Sequence, residues 1–282
     1  MQKHLTVLLI SVALNLAVKV CPAQYDGQSS RYQSGFSWPE DKKMALSLTF
    51  ADARVSQVIY GIPLLDRYGV KATFYVTPHG VLRQLDSWKE AVKNGHELGN
   101  HTVRHPCNVN YTPQKGLADF TLDRMKEELD SCNRFIEETF GFRPVSYAYT
   151  CGETHVGRGT ETKSYVPLVA SLFETGRGSL HEGPNDPRVC DMAQLTGMEL
   201  DGLLFEEVLK LIEAAKSKGQ WLIFGGHEMN EGKHLQRHVS LLSTLDSICR
   251  YATDPANGIW IDNVRNIASY VKAKRGEEPF SE

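Results

Sequence analysis

The segment Gly95-His96-Glu97-Leu98-Gly99-Asn100-His101-Thr102-Val103-Arg104-His105-Pro106 places two imidazoles, His101 and His105, four residues apart between glycines and a proline. Four residues is about one helical turn, so the spacing predicts two rings on one face. Two neutral histidines and one anionic ligand can hold a divalent ion and still leave coordination positions open for chemistry. Asp52 is the candidate anion, because it ends the strand-like run Leu48-Thr49-Phe50-Ala51. A bare His-x-x-x-His pair is as readily two solvated rings on a surface helix; the upstream carboxylate and the later motifs move the balance toward a metal. Zinc is the expected ion for hydrolysis, with cobalt or nickel as substitutes. Such an ion polarises a carbonyl oxygen and brings a bound water to a pKa of about 7. His227 closes the apolar run Trp221-Leu222-Ile223-Phe224-Gly225-Gly226. The glycines allow close approach of a ligand, and an imidazole there can protonate a leaving group. The competing role is a structural histidine at a strand end.

The elements that must position these groups alternate. Met44–Phe50, Lys71–Val76, Val145–Tyr149, Trp221–Phe224 and Gly258–Ile261 have strand character, with a further short strand near Phe173. Ser56–Tyr68, Asp86–Asn94, Thr121–Thr139, Lys163–Ser171, Leu204–Lys216, Leu235–Tyr251 and Val264–Lys272 carry helical spacing. Strands alternating with helices predict an α/β fold with a parallel sheet, and at this length a single-domain (β/α) barrel. No glycine-rich phosphate loop opens any helix, which argues against nucleotide chemistry. Asp52, the segment after Tyr149, and His227 each follow an apolar strand, and parallel barrels gather their sites at strand carboxyl ends. Trp88, Trp221 and Trp260 read as core, and His96 as structural.

The chain has 282 residues and a formal net charge of −3 with the signs mixed, so no basic block points to nucleic acid. Lys3 and His4 precede an apolar run from Leu5 to Val18, too short for a comfortable span and suited to a signal peptide cleaved after Ala23. The expected layout is a signal peptide at 1–23, a leader at 24–39, the catalytic domain at 40–275 and a tail at 276–282. The mature protein is then secreted or periplasmic, with no membrane span after cleavage; a retained anchor is the competing reading. Cys107, Cys132, Cys151, Cys190 and Cys249 follow the leader. The count is odd and the spacings match no disulfide framework, so most are expected to be buried thiols, with Cys107 and Cys151 beside the site segments.

Asn100-His101-Thr102-Val103-Arg104-His105-Pro106 resembles the His-Ser/Thr-x-x-His-Pro motif of the polysaccharide deacetylases, carbohydrate esterase family four, with its NodB-type homology domain. The resemblance runs from about Met44 to Val271. It implies a distorted (β/α) barrel, metal ligands at Asp52, His101 and His105, and a general acid at His227. It also implies that Arg143 orients the base and that Tyr149 and Gly152 form the groove wall. The implied activity is hydrolysis of acetyl amides or esters on a polysaccharide or oligosaccharide, such as chitin, peptidoglycan or acetylxylan. The departures are specific. Ala51 stands where the family carries its base aspartate, a role worth about 10² to 10⁴ in rate. Glu153 and Glu228 are the nearest substitutes in the motifs; a glycan-binding protein without turnover is the alternative. Gly225 stands where a leucine usually lines the acetyl pocket. Asp186, Asp191 and Asp201 compete to be the aspartate that tunes His227.

Overall fold

β1, Met44–Ala51, is buried at every position, as expected of a parallel strand covered on both faces. It anchors a sheet of eight of the described strands in the computed structural model, which describes residues 35–181 and 183–280. The expected signal peptide and residues 24–34 of the expected leader lie outside the described residues. In chain order the elements are β1, α1 (Ile62–Arg67), β2 (Thr73–Val76), α2 (Pro78–Leu82), α3 (Leu85–Lys93), β3 (Glu97–Asn100), α4 (Leu122–Phe140) and β4 (Ser146–Ala148). There follow β5 (His155–Val156), β6 (Lys163–Ser164), α5 (Val166–Leu172), β7 (Thr175–Arg177), β8 (Met198–Glu199), α6 (Phe205–Ser217) and β9 (Trp221–Gly226). The last are β10 (Glu228–Asn230), β11 (Val239–Leu241), α7 (Leu242–Thr253), β12 (Ile259–Ile261) and α8 (Val264–Arg275).

The main sheet runs β7-β4-β3-β2-β1-β9-β8, all parallel, and β12 pairs with residues 44–46 of β1. Its two edges are stitched together ahead of β8: the Leu195 amide donates to the Gly176 carbonyl, and Gly178 donates back to Leu195, each at 2.8 Å. The expected distorted barrel is thus what the chain forms. Alternation divides its faces. Met44, Leu46, Leu48, Phe50, Phe74, Val76, Leu98, Leu222 and Phe224 face the helices and belong to one large apolar core. The other face holds Ser47, Thr49, Thr73, Tyr75, Glu97 and Trp221 inside the barrel, all buried. At the barrel foot Glu97 accepts from Thr73 Oγ1, Ser146 Oγ and the Arg265 amide, which fastens the start of α8 beneath the sheet.

Helix ends follow local chemistry. Thr121 Oγ1 accepts from the Arg124 amide to open α4, and Gly141 closes it at φ 83°. Three expectations change. Phe36 and Trp38, in the expected leader, dock on the barrel foot: Trp38 packs with Tyr270 and Trp260 and its indole N–H donates to Gly219 O at 2.9 Å. The helix expected over Leu235–Tyr251 starts only at Leu242, because Leu235 and His238 are left-handed and Val239–Leu241 pairs with β10. The third concerns the two histidines of the site.

Candidate active site

His101 and His105 do not share a helix. Glu97–Asn100 is a strand, and the chain after it turns sharply, with Thr102 at φ 61° and His105 at φ 54°. Side chains hold the turn. Asn100 Oδ1 accepts from the Thr102 amide at 2.7 Å and Thr102 Oγ1 from the His105 amide at 3.0 Å. Glu128, buried on α4, accepts from the amides of Val103 and Arg104. The rings still converge, with centroids 4.8 Å apart. The four-residue spacing works here through a loop closed by hydrogen bonds, a geometry that helical periodicity does not foresee.

Asp52 meets them from the end of β1. Its amide donates to Tyr75 O, and its own φ is 75°. Gly80 makes room for it: a Cβ there would lie 2.4 Å from the Asp52 carbonyl oxygen. Asp52 Oδ1 lies 3.6 Å from His101 Nε2 and 3.3 Å from His105 Nε2, while Oδ2 is taken by Arg54 at 2.8 Å. His101 donates Nδ1–H to Ala148 O at 3.0 Å, the tautomer that leaves Nε2 as a lone-pair donor toward Asp52. Burial, with His105 beside it, pushes His101 down to about 3. Burial also raises the Asp52 carboxyl, but the imidazoles and Arg54 outweigh it and hold it at about 2. A neutral imidazole and an ionised carboxylate are the protonation states a divalent ion requires, and one donor atom from each of the three residues falls within 4.8 Å of the others. The donor set fits the expected ion.

His227 follows β9. Its Nδ1 pairs with Asp201 Oδ2 at 2.6 Å, and Asp201 Oδ1 accepts from the His227 amide and Ser240 Oγ. Asp201 is therefore the partner among the three aspartates. Asp186 pairs with Arg188, and Asp191 caps the turn at Ala193. Burial lowers His227, but the hydrogen bond and charge of Asp201 outweigh it and raise the imidazole, with Asp52 adding to the effect. His238 stands edge-on to His227 at 4.8 Å, and donor atoms of Asp201, His227 and His238 also fall within 4.8 Å of one another. Asp201 is already occupied by protein donors, so the ion belongs with Asp52.

Other expectations do not reach this cluster. Arg143 precedes β4 and so lies at its amino end, whereas the cluster meets β4 at its carboxyl end through Ala148. Tyr149 is 2% exposed, with its hydroxyl donating to Ala193 O, and it packs with Tyr147 and Tyr165 in a core rather than in a groove wall. Gly152 lies beyond it at φ 72°, beside Ser179. Glu228 has both oxygens engaged, by Arg54 and by Ser56 Oγ, and Glu153 accepts from Asn108; neither is a released base. Cys107 and Cys151 form a disulfide across 44 residues. It ties the loop after His105 to the loop after Ala148, and Thr150 Oγ1 adds a hydrogen bond to Pro106 O. Cys132 and Cys249 are buried thiols pushed up to about 12 by burial.

Arg177 escaped the sequence analysis. It ends β7 at 4% exposure, with its guanidinium 4.9 Å over the Tyr75 ring and Nη1 donating to Gly178 O. The signal was present: Thr175-Gly176-Arg177-Gly178 sets a charge at the end of a short strand. Gly225 now has a reason, since a Cβ there would lie 3.3 Å from Arg177 Nη1.

Residues 39–165 match the family model described as polysaccharide deacetylase. The chain is 34% identical over 91 residues to the uncharacterized protein YlxY of Bacillus subtilis, covering 32% of this chain and 26% of that protein. It is 32% identical over 110 residues to a peptidoglycan-N-acetylglucosamine deacetylase of Bacillus cereus, covering 38% of this chain and 47% of that protein. The matches thus span less than half the length of these relatives. A Mycobacterium smegmatis structure provisionally assigned as a polysaccharide deacetylase superposes with a TM-score of 0.61 at 16% identity, over 88% of this chain and 96% of that one, which establishes the shared fold.

Proposed function

We propose, for a chain whose residues 39–165 match the polysaccharide deacetylase family model, that the site hydrolyses acetyl groups on a carbohydrate, with its rate limited by the alanine at position 51. The observation that carries this reading is the convergence of Asp52, His101 and His105 beside an Asp201-backed His227. Asp52, His101 and His105 would hold one divalent ion, zinc being the natural choice for two imidazoles and a carboxylate. When bound, that ion polarises the acetyl carbonyl and acidifies the attacking water. Arg54 neutralises Asp52 Oδ2 and leaves Oδ1 toward the imidazoles. His227, whose proton Asp201 holds more tightly, gives it to the departing amine or alcohol. The substrate class, an acetylated glycan such as peptidoglycan, follows the deacetylase among the relatives, and action outside the cell follows the apolar run Leu5 to Val18.

Ala51 also supports a second reading, a glycan-binding protein without turnover. Acetate release from acetylated chitooligosaccharides and acetylxylan decides, measured on the protein as it stands and on Ala51→Asp. Release that appears or rises with the carboxylate supports the deacetylase. Binding of the sugars with no release from either protein overturns it in favour of the glycan binder.

A further inference from the structure

We propose that Asp201, His227 and His238 form a second divalent-metal site, which fills only when zinc is in excess and then switches the acid histidine off. The binding half of this proposal stands on geometry; the switching half rests on the acid role given to His227 above.

One donor atom from each of the three residues lies within 4.8 Å of the others, and backbone pairing holds them there. Glu228 and Val239 are register partners at the start of the parallel pair β10 and β11. His227 and His238 each come one residue earlier, so the two strands deliver their imidazoles side by side, with ring centroids 4.8 Å apart. The Glu228 amide donates to His238 O at 3.0 Å, and the Gly202 amide donates to Val239 O at 2.7 Å, which sews the loop carrying Asp201 to the same ribbon. Gly202 permits that approach: a Cβ there would lie 2.7 Å from the Gln236 amide nitrogen.

The mechanism makes no use of His238. Its ring is exposed and makes no hydrogen bond among the described residues. Its backbone is left-handed, at φ 59°, a conformation most side chains avoid. Burial, with His227 beside it, lowers its pKa, so the ring offers a lone pair at neutral pH.

Two imidazoles and a carboxylate are a donor set that zinc accepts. Ligand atoms about 2.0–2.2 Å from a tetrahedral ion stand about 3.4 Å apart. Asp201 Oδ2 and His227 Nδ1, 2.6 Å apart, therefore open slightly to admit the ion, and the exposed His238 closes in. The proton between Oδ2 and Nδ1 leaves to solvent, while Asp201 Oδ1 keeps its bonds to Ser240 and the His227 amide. Two features make this the weaker site. The bond to Asp201 holds that proton against the ion, and the positive charges of Arg54 and Arg237 reach His238. The cluster around Asp52 fills first. A His227 ring that holds the ion at Nδ1 no longer carries the extra proton, so a filled second site stops protonation of the leaving group.

The test uses the full chain, loaded with one equivalent of zinc and then titrated with more at constant ionic strength. Bound ions are counted by equilibrium dialysis with elemental analysis, and turnover is read by acetate release from acetylated chitooligosaccharides. A second equivalent should bind saturably, wash off in zinc-free buffer, and lower acetate release about ten-fold or more while bound. His238→Asn removes the ring and keeps a residue that tolerates left-handed backbone. It should stop at one equivalent, release acetate at the basal rate and resist excess zinc. Asp52→Ala should lose the tight ion and keep the weak one. A chain that saturates at one equivalent, or a second ion bound undiminished by His238→Asn, overturns the proposal. A second ion that His238→Asn removes but that leaves acetate release unchanged overturns the switching half. If neither the natural chain nor Ala51→Asp releases acetate, the deacetylase reading falls, and the zinc count on His238→Asn still decides the site.

Discussion

The His227 side and the Ala51 side of this site are built differently. On the first, His227 and Asp201 form a complete pair at 2.6 Å, with Ser240 and a backbone amide filling the other carboxylate oxygen. On the second, Arg177 is buried against the Tyr75 ring, and Ala51, the register partner of Tyr75, carries no carboxylate. Between them stands the Asp52, His101 and His105 cluster, in which the Asp52 carboxyl is held low and the His101 imidazole is pushed down by burial. A buried arginine stacked on Tyr75 and packed over Gly225 is fixed by those neighbours.

This contrast can be sharpened by experiment. His101→Ala should abolish stoichiometric zinc retention by elemental analysis and drop acetate release to background, because two ligands do not hold the ion. Ala51→Asp should raise kcat by about 10² to 10⁴, since the base side would then match the acid side. Asp201→Asn should lower kcat about ten- to hundred-fold and move the alkaline limb of the pH–rate profile to lower pH. The sign follows from His227: Asp201 raises its pKa, the acid must carry its proton, and activity falls as pH rises through that pKa. Removing Asp201 brings the fall to lower pH. Reducing the Cys107–Cys151 bridge should cost about 4 kcal/mol for a loop of this size, read as a Tm drop of about 10 °C, with weaker zinc retention because the His105 loop loses its tie. Arg143→Ala should change kcat/KM by less than about two-fold, as expected of a side chain away from the chemistry. A large loss there would return the orienting role to Arg143.

Motif and pattern carried the sequence analysis a long way. The alternation of apolar runs with helical stretches predicts the parallel barrel, and the placement of Asp52 and His227 after strands β1 and β9 predicts a common mouth. His101 and His105 were legible because ligand chemistry restricts residue type and spacing, although the expected helix is a strand followed by a left-handed turn. Arg143 was misplaced because sequence proximity to a motif says nothing about which end of a strand a residue occupies. Tyr149 packs in a second core because a likeness to a family motif does not tell which face of a strand other residues cover.

The sequence by itself determined the fold class and the absence of a carboxylate at position 51, because these depend on residue type and local period. Only the tertiary structure decided that Asp201 pairs with His227, that Cys107 joins Cys151, and that Arg177 stacks on Tyr75. Each of those joins residues 26 or more positions apart, and closing such distances is the work of the barrel, in which strands remote in the chain end side by side.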